Sequence, residues 1–212
     1  IAALGYPQVR LFPKGVHRRM RDDAQSGSAN SIVVEEARGY DFPTVYDADL
    51  FVRVAAMIKQ RVTPDLAAAA NTNTAGKTVL VRRATHPFYA SPKSEIKHSG
   101  ADRRSIANFD QVEEAVRAVY PDLITVELEQ MTFAAQIRLF HDAGLVIAQH
   151  GAALTNLLFC RPGTRVIEIL PPMPHSSAHF SALSTCMGLD HITCQQPGLH
   201  SDVPIDDLKP LL

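Results

Sequence analysis

The C-terminal two-thirds of the chain carries short apolar runs that alternate with segments of helical periodicity. The runs lie at 78–81, 124–126, 145–148, 166–169 and 192–194. Short, β-branched runs of this kind are typical of strands that are covered on both faces. Helical spacing of apolar residues occurs at 112–119, 133–140, 153–159 and 179–187. This alternation predicts an α/β fold built on a Rossmann-like, doubly wound parallel sheet.

The N-terminal part is less regular. Asp47 precedes apolar residues at helical spacing, from Leu50 to Ile58, which predicts an amphipathic helix with an N-cap. Residues 62–77 are poor in large apolar side chains and rich in small polar ones, as linkers often are. We therefore predict a partial N-terminal α/β segment at 1–66, a linker at 67–77 and a nucleotide-binding domain at 78–212.

Composition excludes several classes of protein. The 212 residues carry a net charge of −1, and the chain has no Trp, so we expect no nucleic-acid partner. No apolar run approaches the roughly 20 residues that a membrane-spanning helix needs. The first residue is Ile and no signal-peptide pattern precedes the fold, so we expect a processed chain or a piece of a longer protein.

A small-residue turn follows the run at 145–148, at the edge where parallel sheets bind ligands. Gly151 and Ala152 leave room for an anion to approach the backbone. The helix predicted to start there would direct unpaired N–H groups and a partial positive charge at the same point. The turn therefore predicts a phosphate site.

Arginines are expected at the same edge. Arg82 ends the first strand of the sheet, and Arg103 or Arg104 lies in the long polar loop that follows. Two guanidiniums that converge on one crevice suit a diphosphate, which each can bind through two N–H donors. The alternative is that these arginines are solvated surface residues.

Two ionisable residues extend the candidate site. His150 is either a core histidine bonded to nearby backbone or a crevice residue that donates to a phosphate or acts as a base. Glu168 interrupts an apolar strand, where a carboxylate needs partners. It would bind ribose hydroxyls or pair with a structural arginine.

Other polar residues have weaker signals. Thr155 and Asn156 are phosphate donors or ordinary helix residues, and Asn108 and Asp110 are site residues or simply cap a helix. His175 and His179 have zinc-compatible spacing but no evident third ligand, so we predict no metal site.

Common catalytic fingerprints are missing from the sequence. It lacks the GxGxxG, GxxxxGK[ST] and GxSxG patterns. This counts against dehydrogenases, P-loop enzymes and serine hydrolases respectively.

Ordered motifs over residues 78–194 resemble glycosyltransferase family 61, which includes plant β-1,2-xylosyltransferases and the EGF-domain O-linked N-acetylglucosamine transferase. The motifs are Val79-Leu80-Val81-Arg82, Arg104-Ser-Ile106-Ala-Asn108, Phe133…Gln136-Ile137…Leu139-Phe140…Ala143, His150-Gly151-Ala152…Leu154-Thr155-Asn156…Phe159 and Pro162-Gly163…Val166-Ile167-Glu168. The resemblance implies a GT-B architecture, in which two Rossmann-like domains face each other. It implies an acceptor-side role for segment 1–66, which is short for a whole domain.

The resemblance also implies an activity: inverting, metal-independent transfer of a sugar, xylose or N-acetylglucosamine, from a UDP-sugar to a hydroxyl of a glycan or protein. No cofactor is expected besides the donor substrate. Arg82, Arg104, His150, Gly151 and Glu168 match motif positions and take the donor-site role. The general base stays open between His150, Asp110 and Asp142.

Two rival hypotheses remain. The chain is a non-catalytic or truncated relative that binds a nucleotide, or an unrelated Rossmann-like phosphate-ester enzyme that depends on metal. Membrane association is expected only through an anchor or partner outside this sequence. Localisation and oligomeric state stay open: the resemblance implies the Golgi or ER lumen for a eukaryotic chain, and the cytoplasm or inner membrane face for a bacterial one.

Overall fold

The computed structural model describes residues 47–68, 76–83, 100–173 and 178–212. All of them lie in the compact unit that spans Tyr46–Leu212. The basic residues Lys97 and His98 of the long polar loop, and most of the predicted linker, fall outside the described residues.

A five-stranded parallel sheet forms the centre of the unit. Its strands are β1 (Lys77–Val81), β3 (Ile124–Val126), β4 (Ala143–Gln149), β5 (Arg165–Leu170) and β6 (Asp190–Gln195), in the spatial order β3-β1-β4-β5-β6. All five predicted strands are confirmed. A separate parallel pair, β2 (Ser105–Ile106) and β7 (His200–Ser201), has too few residues to show a hydrophobic period.

The strand order reverses between β1 and β4. From β1 the chain moves to β3 on one side, and it then returns to β4 on the other side and continues outward through β5 and β6. The connections on either side of this point leave in opposite directions, so a crevice opens beyond the carboxyl ends of β1 and β4. Open parallel sheets commonly bind their ligands at such a point.

Helices cover both faces of the sheet. They are α1 (Ala48–Val62), α2 (Pro64–Ala68), α3 (Phe109–Val119), α4 (Phe133–His141), α5 (His179–Cys186) and α6 (Ile205–Leu208). None of these helices has the length and apolar character that a membrane crossing requires, within the part of the chain that the structure describes.

The segment after β4 differs from the prediction. Ala152–Phe159 forms a 3₁₀ helix rather than an α-helix. Its buried Leu154 and Leu157 are three residues apart, and Cys160, three further on, is also buried. A helix with three residues per turn stacks such residues on one side, which favours 3₁₀ geometry here. The dipole argument for an α-helix N-terminus is correspondingly weaker at this turn.

Two apolar cores follow from the alternation of side chains along the strands. Val79, Val146 and Val166 join the core that α1, α4 and α5 cover. Leu80 and Ile147 join the core on the opposite face, under α3 and α6. This arrangement confirms the doubly wound α/β sheet.

Helix α1 belongs to the first of these cores. The Asp47 side chain accepts a hydrogen bond from the Leu50 backbone N–H at 2.9 Å, which confirms the predicted N-cap. Ala55 is buried, and Phe51 and Ile58 pack against the same cluster. This part of the predicted N-terminal segment thus packs on the sheet, and the division of the chain at 67–77 stays a prediction.

The backbone just before β1 and the backbone at the start of β4 approach each other unusually closely. A Cβ atom on Gly76 would lie 2.2 Å from the backbone nitrogen of Gly144, a contact that only backbone movement relieves. We expect Gly76→Ala to lower the free energy of unfolding by about 1–3 kcal/mol in urea titrations. Gly198→Ala is the matched control, because its Cβ would meet the Ser201 side chain at an ordinary 3.4 Å. Equal losses in both variants would contradict the close approach.

Candidate functional site

The carboxyl ends of β1 and β4 bring the predicted site residues together. Val81 pairs with Ala148 in the sheet, so the residues that follow these two lie side by side. Arg82 and Arg83 leave β1 at this point, and His150 follows the last residue of β4. The site is therefore built on the reversal point of the sheet.

Two guanidiniums bind the backbone of the turn. Arg83 Nη1 donates to the carbonyl oxygen of His150 at 3.3 Å, and Arg104 Nη1 donates to the same oxygen at 3.1 Å. A Cβ atom on Gly151 would lie 2.2 Å from Arg83 Nη1. Because Gly151 has no side chain, the Arg83 guanidinium can occupy this space.

Arg104 is a buried cation. The residue is 4% exposed, and its Nε has no hydrogen-bond partner among the described residues. Burial, together with the positive charges of Arg83 and Arg103, lowers the pKa of Arg104 to about 10, so it stays protonated at neutral pH. In the described part of the chain, no carboxylate forms an ion pair with it. A buried charge without a counter-charge is costly, and a bound anion would offset that cost.

Arg82 lies at the rim of the crevice. Its Nη2 donates to Asp110 Oδ1 at 2.7 Å, and its guanidinium stands 4.3 Å from the centre of the Phe109 ring. Asp110, a candidate general base, is exposed in the first turn of α3 and bonded to this arginine. Both contacts hold Arg82 on α3, where part of the side chain stays accessible.

The ring of His150 belongs to a buried polar chain on the other face of the sheet. His150 Nδ1 lies 2.5 Å from Glu168 Oε1, and His191 Nε2 lies 3.0 Å from Glu168 Oε2. Ser184 Oγ lies 2.8 Å from His191 Nδ1. The Phe180 ring packs edge-on against His150, with 5.0 Å between ring centres.

Glu168 is the acceptor at the centre of this chain. Burial raises its pKa, but hydrogen bonds from His150 and His191 outweigh burial and bring the pKa below the ordinary value of 4.5. An ionised Glu168 accepts from Nδ1–H of His150, which leaves Nε2 as the ring nitrogen for a ligand. Within the described residues both of its oxygens bind histidines and neither binds an arginine. The predicted contact of Glu168 with ribose hydroxyls stays a prediction.

His191 and Arg83 were missed by sequence reasoning. His191 lies in β6, and its side chain is 7% exposed. Only the pairing of β5 with β6, which sets Val166 beside His191, brings it to Glu168. Arg83 directly follows Arg82 at the strand end, and only the turn geometry singles it out.

The remaining predicted donor-site residues have varied surroundings. Asn108 Nδ2 donates to the Val203 carbonyl at 3.0 Å, and its Oδ1 accepts from the Val203 N–H at 2.8 Å. Its side chain makes no capping bond to α3. Asn156 is buried and donates to Gln136 Oε1 and the Ala153 carbonyl. Ala152 and Thr155 are exposed on the 3₁₀ helix.

Asp142 is not brought to the site. It precedes β4, at the amino edge of the sheet, and binds Lys77 Nζ at 3.2 Å. The seven residues of β4 separate it from His150, which is more than about 20 Å at the usual rise of a strand. Of the three candidate bases, His150 therefore lies at the crevice, and its ring is bonded to Glu168 rather than to an arginine in the described part of the chain.

No group of three His, Cys, Asp or Glu side chains with metal-binding geometry occurs in residues 47–68, 76–83, 100–173 and 178–212. His175, one of the two histidines considered for zinc, lies outside these ranges.

Comparison with known proteins agrees with the geometry. The chain is similar to the β-1,2-xylosyltransferase RCN11 of Oryza sativa subsp. japonica, with 28% identity over 142 residues, which are 63% of this chain and 25% of that protein. It is similar to protein O-linked-mannose β-1,4-N-acetylglucosaminyltransferase 2 of Mus musculus, with 36% identity over 69 residues, 32% of this chain and 12% of that protein. The human protein of the same name is 35% identical over 69 residues. The chain thus spans a quarter or less of the length of these relatives.

The family model described as Glycosyltransferase 61 matches residues 28–167, more than half of the chain. The matched range includes β1, β4 and the turn that carries His150 and Gly151. The chain therefore belongs to glycosyltransferase family 61.

Proposed function

We propose that this chain holds the nucleotide-sugar site of an inverting, metal-independent glycosyltransferase of GT-B architecture. The donor is a UDP-sugar, with xylose or N-acetylglucosamine as the sugar, and the acceptor is a hydroxyl of a glycan or protein. The observation that carries the proposal is the buried Arg104, which has no carboxylate partner among the described residues. Arg104 and Arg83 both donate to the carbonyl oxygen of His150. Relatives named as a xylosyltransferase and an N-acetylglucosaminyltransferase support the sugar class.

A diphosphate matches the charge of this crevice. Breaking the bond between the sugar and the diphosphate leaves negative charge on the departing oxygen, and fixed cations stabilise it. Arg83 and Arg104 would supply that charge at the turn, and Arg82 would add to it from the rim. Guanidiniums suit this role because each presents several N–H donors in one plane.

His150 is the best supported general base of the three candidates. In an inverting transfer, a base takes the proton of the acceptor hydroxyl while its oxygen attacks the anomeric carbon and the diphosphate departs. Glu168 would orient the His150 ring through the contact at Nδ1. Asp110 is bonded to Arg82, and Asp142 lies at the opposite edge of the sheet.

The second candidate function is nucleotide binding without transfer. It is favoured by one observation, that the chain spans a quarter or less of its relatives' length. Turnover of a UDP-sugar by this protein separates the two functions, since both predict the same UDP binding.

The donor class is tested by thermal shifts with UDP, GDP, ADP and NAD, each with and without EDTA. A ligand that binds the native state raises the melting temperature with its concentration. We expect the largest shift with UDP and no change of that shift on adding EDTA. A shift that requires added metal would contradict the proposal and favour a metal-dependent phosphate-ester enzyme.

The arginine site is tested by calorimetric titration of UDP. Arg104→Ala and Arg82→Ala should each weaken binding by about 1–3 kcal/mol, the cost of losing a hydrogen bond to a charged group. Arg53→Ala, on the exposed side of α1, is the matched control and should bind UDP as the parent chain does. Unchanged affinity for UDP in both site variants would contradict the binding of the diphosphate in this crevice.

The role of Glu168 predicts a pH-dependent stability. Its native pKa is depressed, so its contribution is present above the unfolded pKa and is lost as the pH falls through the lower native pKa. Glu168→Gln should lower the free energy of unfolding by about 1.5–3 kcal/mol at neutral pH. The difference from the parent chain should shrink in acid, in urea titrations between about pH 7 and about pH 3.

Glu114→Gln, which removes an exposed carboxylate from α3, is the control for this measurement. It should leave the pH profile of the parent chain nearly unchanged. A difference between Glu168→Gln and the parent chain that stays constant with pH would show that Glu168 is not ionised in the native protein.

A further inference from the structure

His191, on the last strand of the described sheet, reaches the chain of polar groups behind His150. The register of β5 and β6 sets His191 opposite Val166. Residues opposite each other in a sheet point to the same face, and Glu168, two residues after Val166, points there too. His191 thus binds Glu168 from the side of β6, while His150 binds it from the side of β4.

The four groups of this chain are shielded from water. The side chains of His150 and His191 are each 7% exposed, that of Glu168 is 3% exposed, and Ser184 is fully buried. Buried polar groups in native proteins are hydrogen-bonded to one another. The positions of the hydrogens therefore follow from which atoms face each other.

The contacts require opposite tautomers of the two histidines. An ionised carboxylate only accepts hydrogen bonds, so Nδ1 of His150 and Nε2 of His191 must both carry hydrogen to bind Glu168. In a neutral imidazole the other ring nitrogen is bare. The bare Nδ1 of His191 then accepts from Ser184 Oγ at 2.8 Å, and the bare Nε2 of His150 is left for a ligand.

His191 supplies one of the two bonds that keep Glu168 ionised. Burial raises the pKa of Glu168, and the hydrogen bonds from His150 and His191 lower it below its ordinary value. Loss of the His191 bond would leave Oε2 buried without this donor, which is costly for a charged group. The carboxyl group would then take up a proton or turn away. Either change would weaken its hold on Nδ1–H of His150.

We propose that His191 is a positioning residue: by donating to Glu168 Oε2, it makes Glu168 hold the His150 ring with hydrogen on Nδ1 and with Nε2 bare. Ser184 completes the arrangement by donating to Nδ1 of His191. This inference rests on the proposed function, in which His150 takes the proton of the acceptor hydroxyl. It extends that function by a residue that acts only through Glu168.

Nitrogen NMR of the histidine-labelled parent chain tests the two tautomers. Bare and protonated nitrogens of a neutral imidazole give well separated signals, and loss of signals in His150→Phe and in His191→Phe assigns them. In mildly alkaline buffer, where free imidazole is neutral, we expect hydrogen on Nδ1 of His150 and on Nε2 of His191. Hydrogen on Nε2 of His150, or the same tautomer in both rings, would overturn the proposal.

Two amides at position 191 separate positioning from packing. The amide nitrogen of Gln reaches the place of His Nε2, whereas that of Asn ends near the place of Nδ1 and falls short of Glu168. His191→Gln should therefore keep the His150 tautomer, and in His191→Asn the form with hydrogen on Nε2 of His150 should appear. His200→Asn, which replaces an exposed histidine in β7, is the control and should leave the His150 signals unchanged.

Identical His150 signals in His191→Asn and the parent chain would show that His191 does not position the ring. If His191→Asn does not fold, the tautomers of the parent chain decide alone.

Calorimetric titration of the same proteins with UDP separates this inference from the proposed function. The affinity of His191→Asn for UDP should match that of the parent chain, because the arginines proposed to bind the diphosphate lie at the His150 carbonyl and not on its ring. Weaker binding in His191→Asn, restored in His191→Gln, would place Glu168 on the nucleotide and overturn the positioning role. Failure of UDP to bind the parent chain would overturn the proposed function, whatever the tautomers are.

Discussion

The carbonyl oxygen of His150 is the point on which the site depends. It accepts hydrogen bonds from Arg83, which leaves β1, and from Arg104, which precedes β2. These bonds hold two like charges close together in a poorly hydrated place, and their mutual repulsion is part of what depresses the pKa of Arg104. The carbonyl dipole offsets part of the cost of this arrangement, and the proposed diphosphate would offset more of it.

Successive side chains of a strand point to opposite faces of the sheet, so Gln149 and His150 have different surroundings. Gln149 points to the face covered by α3, and the ring of His150 joins the face covered by α5. One residue step thus separates the recess of about 150 Å³ that Gln149 lines from the ring of His150. The polar chain behind His150 is buried.

Much of this architecture could be predicted from the sequence. Short β-branched runs report burial on both faces, so the five strands and their parallel direction could be predicted from the pattern, whereas their spatial order could not. Glu168 was recognisable because a carboxylate in an apolar strand needs partners. The identity of those partners was not recognisable, since His191 is distant in sequence and adjacent only through the pairing of β5 with β6. The 3₁₀ geometry after β4 depends on which face of a mostly apolar segment is buried, and a periodicity of 3.6 does not reveal that.

The short ribbon of β2 and β7 ties the C-terminal region to the candidate site. The carbonyl oxygen of Ser201 in β7 accepts a hydrogen bond from Gln196, which in turn orients Gln149. The Asn108 amide binds both the carbonyl oxygen and the N–H of Val203. Stability is uneven within a fold, and short peripheral pairs of strands open more readily than a central sheet. Opening of this ribbon would break the hydrogen bonds that orient the Gln196 amide. The Gln149 amide would then lose its fixed orientation. The orientation of the buried Gln149 amide therefore depends on whether this four-residue stretch of sheet stays closed.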